Sequence, residues 1–137
     1  MISEADRAQL ARLPILFARC VDHRDMDAFA ALFCVDAELV MPAGADLKEQ
    51  LVLQGRERIV ALWRDRPPRL TRHLVTNIDI ISCESGSAEL RSIGVAFRDP
   101  GSAVPSNLAD YHDHAVKEND GQWRLRRRVI SLTFPSS

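Results

Sequence analysis

Several familiar signals are missing from this sequence. Lys and Arg number 18 against 19 Asp and Glu, giving a net charge of -1. There is therefore no global positive field to hold a phosphate backbone or an anionic membrane, and nucleic acid and membrane are not expected partners. The longest strongly apolar stretches, such as Leu13 to Phe17 and Ile78 to Ile81, fall far short of the roughly 20 residues that a spanning helix needs. The start, Met1-Ile2-Ser3-Glu4-Ala5-Asp6, is acidic before any apolar run, which is wrong for a secretory signal and leads to the expectation of a cytoplasmic protein. Cysteine is scarce: Cys20, Cys34 and Cys83 are odd in number, widely spaced and without a CxxC pair, so they read as buried thiols. No GxGxxG, GxxxxGK[ST] or GxSxG occurs, which removes the sequence support for a dinucleotide site, a P-loop or a nucleophile elbow. Repeats, linkers and low-complexity tracts are also absent.

The residues that remain describe an ordinary globular chain. With 137 residues, 46% of them hydrophobic and 27% charged, residues 1–137 are expected to form one domain that buries roughly 70% of the surface exposed by the unfolded chain. Ser3 followed by Asp6 marks a helix start, and Leu10, Leu13, Phe17, Cys20 and Val21 recur at helical spacing to about Val21. Pro14 interrupts that pattern and predicts a kink or a late start near Leu13. Asp25 can cap a second short helix with Met26, Phe29, Leu32 and Phe33 on its apolar face. From Ala37 the alternation of Leu39 and Met41 with Glu38 and Val40 predicts a strand ended by Pro42-Ala43-Gly44, with a loop after it. A third helix is predicted over Arg56 to Arg66, stopped by Pro67-Pro68.

The rest of the chain is strand-rich: Leu70 to Ser82, Ala88 to Phe97, Ala109 to Glu118 and Gln122 to Phe134. The joints are Glu84-Ser85-Gly86-Ser87, Asp99-Pro100-Gly101 and Asn119-Asp120-Gly121, the last a hairpin signal. Strands apolar on both faces, as around Ile78, Ile80 and Ile81, are expected to pack on helices with one side and to enclose or touch something with the other. Helices first and an antiparallel sheet afterwards define an α+β domain.

Four histidines are candidates for chemistry. His23 lies in a polar turn, Asp22-His23-Arg24-Asp25, and reads as a solvated loop residue. His73 shares a strand face with Val75 and Asn77, where an ionisable ring needs a partner. If that partner is a carboxylate, it holds the ring in one tautomer and leaves the other nitrogen to take a proton from a substrate. His112, His114 and Glu118 spell HxHxxxE, but no second ligand motif follows, so no metal is expected. One histidine of the pair is expected to face a pocket, with Tyr111 and Asp113 turned the other way. In the run Arg124, Arg126, Arg127 and Arg128, regular alternation puts 124, 126 and 128 on one face and 127 with Leu125 and Val129 on the other. These arginines read as a solvated face, or as supplying one inward arginine that stabilises developing negative charge.

Four segments together resemble a family: Arg19 to Phe29, Phe33 to Glu38, Thr71 to Asn77 and Asp120 to Arg124. In order and spacing they are similar to SnoaL-like proteins of the nuclear transport factor 2-like superfamily, and the resemblance covers nearly the whole chain. It implies a cone-shaped α+β barrel, with three N-terminal helices on a strongly curved antiparallel sheet that encloses an apolar pocket. Members include dehydratases, a dehydrochlorinase, ketosteroid isomerases, polyketide cyclases and small subunits of ring-hydroxylating dioxygenases, so the fold alone does not settle activity.

In the dehydratase and dehydrochlorinase branch, an aspartate ending the first helix orients a strand histidine that removes a proton, and an arginine near the end of the last strand assists the leaving group. The matching positions are Asp22, His73 and Arg128. Phe17 stands where dehydratases often carry a tyrosine, and His112, at a commonly aromatic position, is the candidate for the lost proton donor. The expected pocket lining is Phe17, Leu39, Met41, Trp63, Val75 and Phe97. The leading expectation is a cofactor-independent lyase or isomerase acting on a small, largely apolar molecule, aromatic or steroid-like. The alternative is a non-catalytic binding or accessory module, such as the small subunit of an oxygenase. A homodimer or homotrimer is expected in either case.

Overall fold

The computed structural model describes residues 2–44, 47–99 and 105–134. It is an α+β structure in which three helices pack on one six-stranded sheet. Helix α1 spans Glu4–His23, α2 Met26–Ala30 and α3 Arg56–Arg64. The strands are β1 Phe33–Met41, β2 Leu51–Gln54, β3 Thr71–Glu84, β4 Ser87–Arg98, β5 Asn107–Lys117 and β6 Trp123–Leu132. Their order in the sheet is β2-β1-β6-β5-β4-β3, antiparallel throughout except for the parallel pair β1–β6. The sheet is curled but not closed: α1 touches β6 through Phe17 and β3 through Asp22, although two strands lie between them. No helix among the described residues is long and apolar enough to cross a membrane.

Helix α1 starts where its cap predicts, with the Ser3 side chain accepting from the Asp6 amide at 3.0 Å. It does not start late. The helix runs through Pro14, because burial of Leu10, Leu13 and Phe17 outweighs the loss of one backbone donor. Its first turns are also fastened to β6: the Trp123 indole donates to Asp6 at 2.8 Å and the Trp123 amide to Gln9 at 2.6 Å. At the other end Arg24 adopts the left-handed conformation and caps α1 with its amide on Cys20 and Val21.

Helix α2 is shorter than the apolar spacing suggests, since Leu32 and Phe33 have already joined the sheet and the Leu32 carbonyl accepts from the Leu125 amide. Strand β1 therefore begins at Phe33 rather than Ala37, and the segment expected as loop contains β2. Of the joint Asp99-Pro100-Gly101, Pro100 and Gly101 lie outside the described residues. The core between helices and sheet is aromatic: Phe17, Phe29, Phe33 and Trp63 meet edge to face with ring centroids 5.0–5.9 Å apart.

Several register shifts interrupt the sheet, and two of them, one on β3 and one on β6, decide which residues face the cavity. On β3 the pairing with β4 shifts between Thr76 and Asp79, around Asn77, whose φ is +53°. Thr71, His73 and Val75 face inward before the bulge, and Ile78 and Ile80 after it, while Asn77 itself is exposed. On β6 the register against β5 passes from Leu125 to Arg127, leaving Arg126 as the extra residue. Trp123 and Leu125 face inward before it and Arg128 after it.

Candidate functional site

Between α1, α3 and the inner face of the sheet lies a cavity of about 710 Å³. Phe17, Met41 and Trp63 line it, together with His73 and Arg128. Three other expected lining residues do not. Leu39 is fully buried in the core. Val75 follows His73 on the inner face but lies beyond the wall, opposite Gly94. Phe97 pairs with Arg72, on the face opposite to His73 and its partner Ala96.

Asp22 and His73, 51 positions apart in sequence, meet directly. Asp22 sits in the last turn of α1, where the helix dipole disfavours a carboxylate, and the start of β3 supplies three compensating donors. The His73 ring Nδ1 lies 2.6 Å from Asp22 Oδ1, the His73 amide donates to Oδ2 at 2.9 Å, and the Thr71 hydroxyl donates to Oδ1 at 2.8 Å. The side chains are 7% and 17% exposed, so the pair is largely shielded from water. Burial alone would raise the Asp22 pKa, but these hydrogen bonds and the adjacent ring together hold it below its ordinary value. An ionised carboxylate can only accept, so Nδ1 carries the proton of this contact, and in the tautomer it selects the lone pair lies on Nε2. Nε2 has no hydrogen bond to a described residue, and the ring borders the cavity.

Arg128 lies within the wall of the same cavity, 1% exposed. Its Nε and Nη2 donate to the two oxygens of Asp113 at 2.7 and 2.9 Å. The guanidinium is held between two rings, with its carbon 4.3 Å from the centroids of both Phe17 and Tyr111. Burial works against its charge, but the Asp113 carboxylate outweighs burial and keeps Arg128 a cation. Nη1 is buried with no partner among the described residues. Tyr111 shares the cavity wall, and burial pushes its hydroxyl pKa up.

The fourth expected site residue is elsewhere. Odd positions of β5 face inward, so Tyr111 and Asp113 point to the interior while His112 and His114 point out. His112 is half exposed and lies 3.3 Å from Glu89; His114 contacts the Ser87 hydroxyl at 2.8 Å. His112 therefore cannot replace a proton donor inside the cavity. Sequence reasoning missed Thr71, Tyr111 and Asp113. The signal for the last two was the alternation Ala109, Tyr111, Asp113, Ala115, whose small members fit an enclosed face better than two histidines do.

A ligand-sized cavity holding a carboxylate–histidine pair and a shielded arginine, in a curled α+β scaffold, defines a class of small-molecule pocket proteins. The model of the SnoaL-like domain matches residues 3–129, and the chain belongs to that family. No curated protein matches it significantly.

Among solved structures it is similar to a protein of unknown function with a cystatin-like fold from Nostoc punctiforme PCC 73102, with 22% identity and a TM-score of 0.81, over 98% of this chain and 96% of that one. It is also similar to a proposed scytalone dehydratase from Novosphingobium aromaticivorans DSM 12444, with 22% identity and a TM-score of 0.78, over 95% and 85%. A third likeness is to the beta subunit of a proposed aromatic-ring-hydroxylating dioxygenase from the same organism, with 18% identity and a TM-score of 0.74, over 98% and 94%. At these identities the likeness establishes the fold.

Proposed function

We propose that the protein is a cofactor-independent lyase or isomerase that removes a proton from carbon in a small molecule with a substantial apolar part. The observation that carries this reading is the 2.6 Å contact of His73 Nδ1 with Asp22, which leaves Nε2 as a base beside the cavity. Nε2 takes the proton, and Asp22 balances the imidazolium that forms, as an orienting carboxylate does in a triad. The electron pair left on carbon moves toward a carbonyl oxygen or expels a group from the neighbouring carbon. Arg128 faces that developing anion with the one end of its guanidinium that Asp113 does not use. Tyr111, stacked on Arg128 and lining the cavity, is a better candidate than His112 for a proton donor to the leaving group.

Incubation in D2O with a panel of cyclic ketones and β-hydroxy ketones, followed by NMR, tests this reading. Wild-type protein should exchange or eliminate at the carbon next to a carbonyl, and His73→Ala should lose at least about 100-fold in rate while keeping its fold. Retention of the rate in His73→Ala overturns the mechanism.

The likeness to a dioxygenase beta subunit supports a second reading, an accessory module whose cavity binds without turnover. Asp22→Asn would then change ligand affinity and no rate. We extend the proposal to a homodimer or homotrimer formed through the outer face of the sheet, where Leu74 and Ile81 are exposed. We also extend it to a cytoplasmic setting, in keeping with three cysteines that form no disulfide.

A further inference from the structure

The hydrogen-bonding groups of the cavity wall differ in kind from one side to the other. On β3, Thr71 and His73 are two residues apart, so both side chains lie on the inner face, and both border the cavity. They converge on one atom. The Thr71 hydroxyl donates to Asp22 Oδ1 at 2.8 Å, and His73 Nδ1 lies 2.6 Å from the same oxygen. Asp22 is 7% exposed and accepts at its other oxygen from the His73 amide at 2.9 Å. The aspartate is therefore enclosed behind these two side chains, and the cavity meets Thr71 and His73.

A threonine hydroxyl has one proton and two lone pairs. Here the proton is occupied by an ionised carboxylate, so toward any further partner Thr71 acts only as an acceptor. No described residue donates to it. The tautomer that Asp22 selects makes His73 Nε2 an acceptor as well. Across the cavity the Arg128 guanidinium has donors alone, and its Nη1 is without a partner among the described residues. The cavity is thus polarised, with acceptors on β3 and a donor on β6. A carbon acid uses one of the two β3 acceptors, because its proton goes to Nε2. The Thr71 oxygen beside it is left for a second donor, and a ligand without one would strip that oxygen of water and give nothing back.

We infer that Thr71 is a specificity-determining residue: its oxygen accepts a hydrogen bond from a hydroxyl group that the substrate bears next to the carbon giving up the proton. This deepens the proposed function and rests on the cavity being the substrate site. It narrows the expected class from molecules with an apolar part to those that also carry a neutral donor. A protonated amine does not fit this position, since it would face the imidazolium that forms on His73.

Isothermal titration of the full chain with 2-hydroxy-1-indanone and with 2-fluoro-1-indanone tests the inference, since fluorine replaces the hydroxyl at nearly the same size but carries no proton. The hydroxy ketone should bind about fivefold more tightly, as one neutral hydrogen bond supplies. Thr71→Val and Thr71→Ala, which both lack the oxygen, should bring the two probes within about twofold of each other, chiefly by weakening the hydroxy ketone. Thr71→Ser should restore the preference. Equal or tighter binding of the fluoro ketone by the wild type, or no binding of either probe to millimolar concentration, overturns the inference. So does an equal weakening of both probes in Thr71→Val, which would mean that Thr71 acts only through Asp22.

The same titration on His73→Ala keeps the two readings apart. A hydroxyl preference that survives in that variant, with no proton exchange in the wild type, removes the catalytic reading and leaves the Thr71 site standing. No hydroxyl preference in the wild type, alongside His73-dependent exchange, does the reverse. A preference that disappears in His73→Ala but persists in Thr71→Val assigns the hydroxyl to Nε2 and overturns the inference.

Discussion

Asp113→Asn should be among the most damaging single substitutions in the molecule. Arg128 and Asp113 are 1% and 0% exposed and share two hydrogen bonds of 2.7 and 2.9 Å. The change keeps the shape of the carboxyl group but strips a desolvated guanidinium of the carboxylate it is paired with. Removing one partner of such a pair costs about 3–5 kcal/mol. With an unfolding entropy of roughly 2.1 cal/mol/K per residue, 137 residues give about 0.29 kcal/mol/K, so Tm should fall by about 10–17 °C. Replacing both partners at once, Arg128→Met with Asp113→Leu, leaves no buried charge and should cost far less than the single change, or even stabilise. Urea denaturation and calorimetry on the two variants check this. A loss under about 1 kcal/mol in Asp113→Asn, or a double variant as unstable as the single one, would refute the claim that Asp113 exists to keep a buried cation. On the proposed mechanism the stable double variant should also have lost turnover, because that proposal assigns the developing anion to Arg128.

The depressed pKa of Asp22 sets a pH signature: its contribution to stability is complete above its ordinary 3.8 and is lost as pH falls through the lower folded value. The stability gap between wild type and Asp22→Asn, followed by urea denaturation from pH 7 to pH 2, should therefore shrink only below about pH 4, and a constant gap contradicts the assignment. Gly94→Ala should cost about 1–3 kcal/mol, because its Cβ would fall 2.1 Å from the Tyr111 hydroxyl and force that ring off Arg128. Neutral denaturation behaviour in Gly94→Ala would mean that the Tyr111 ring is free to move.

Much of the scaffold was legible because the local signals were strong: Ser3 and Asp25 as caps, the apolar spacing of α1 and α3, and the Asp-Gly turn before β6. His73 stood out by its strand position, but its pairing with Asp22 was legible only through family resemblance, since nothing local brings together residues 51 positions apart. The misplacement of Arg128 has a physical origin. Period-two alternation assumes an unbroken ladder, and on that assumption Arg128 shares a face with Arg124 and Arg126, which lie on the more solvated side. No residue type announces that Arg126 is looped out. On β5, where no bulge intervenes between Ala109 and Asp113, the alternation was legible but anchored on the wrong pair, because histidines attract attention and a lone tyrosine does not.

The bulges divide the inner face of the sheet into two regions with different work. Beyond Asn77 on β3, and before Arg126 on β6, the inward residues are Ile78, Ile80, Trp123 and Leu125, which close the core under the helices. On the far side of each bulge the inward residues include Thr71 and His73 on β3 and Arg128 on β6. A ladder without either bulge would send one half of each strand outward, so the core and the reactive face could not both be inward on the same strands. Bulges also bend and twist a sheet, and the bend is what brings β3 and β6 to opposite sides of one helix. The curvature that opens the cavity and the phase change that furnishes it with a base and a cation thus come from the same extra residues.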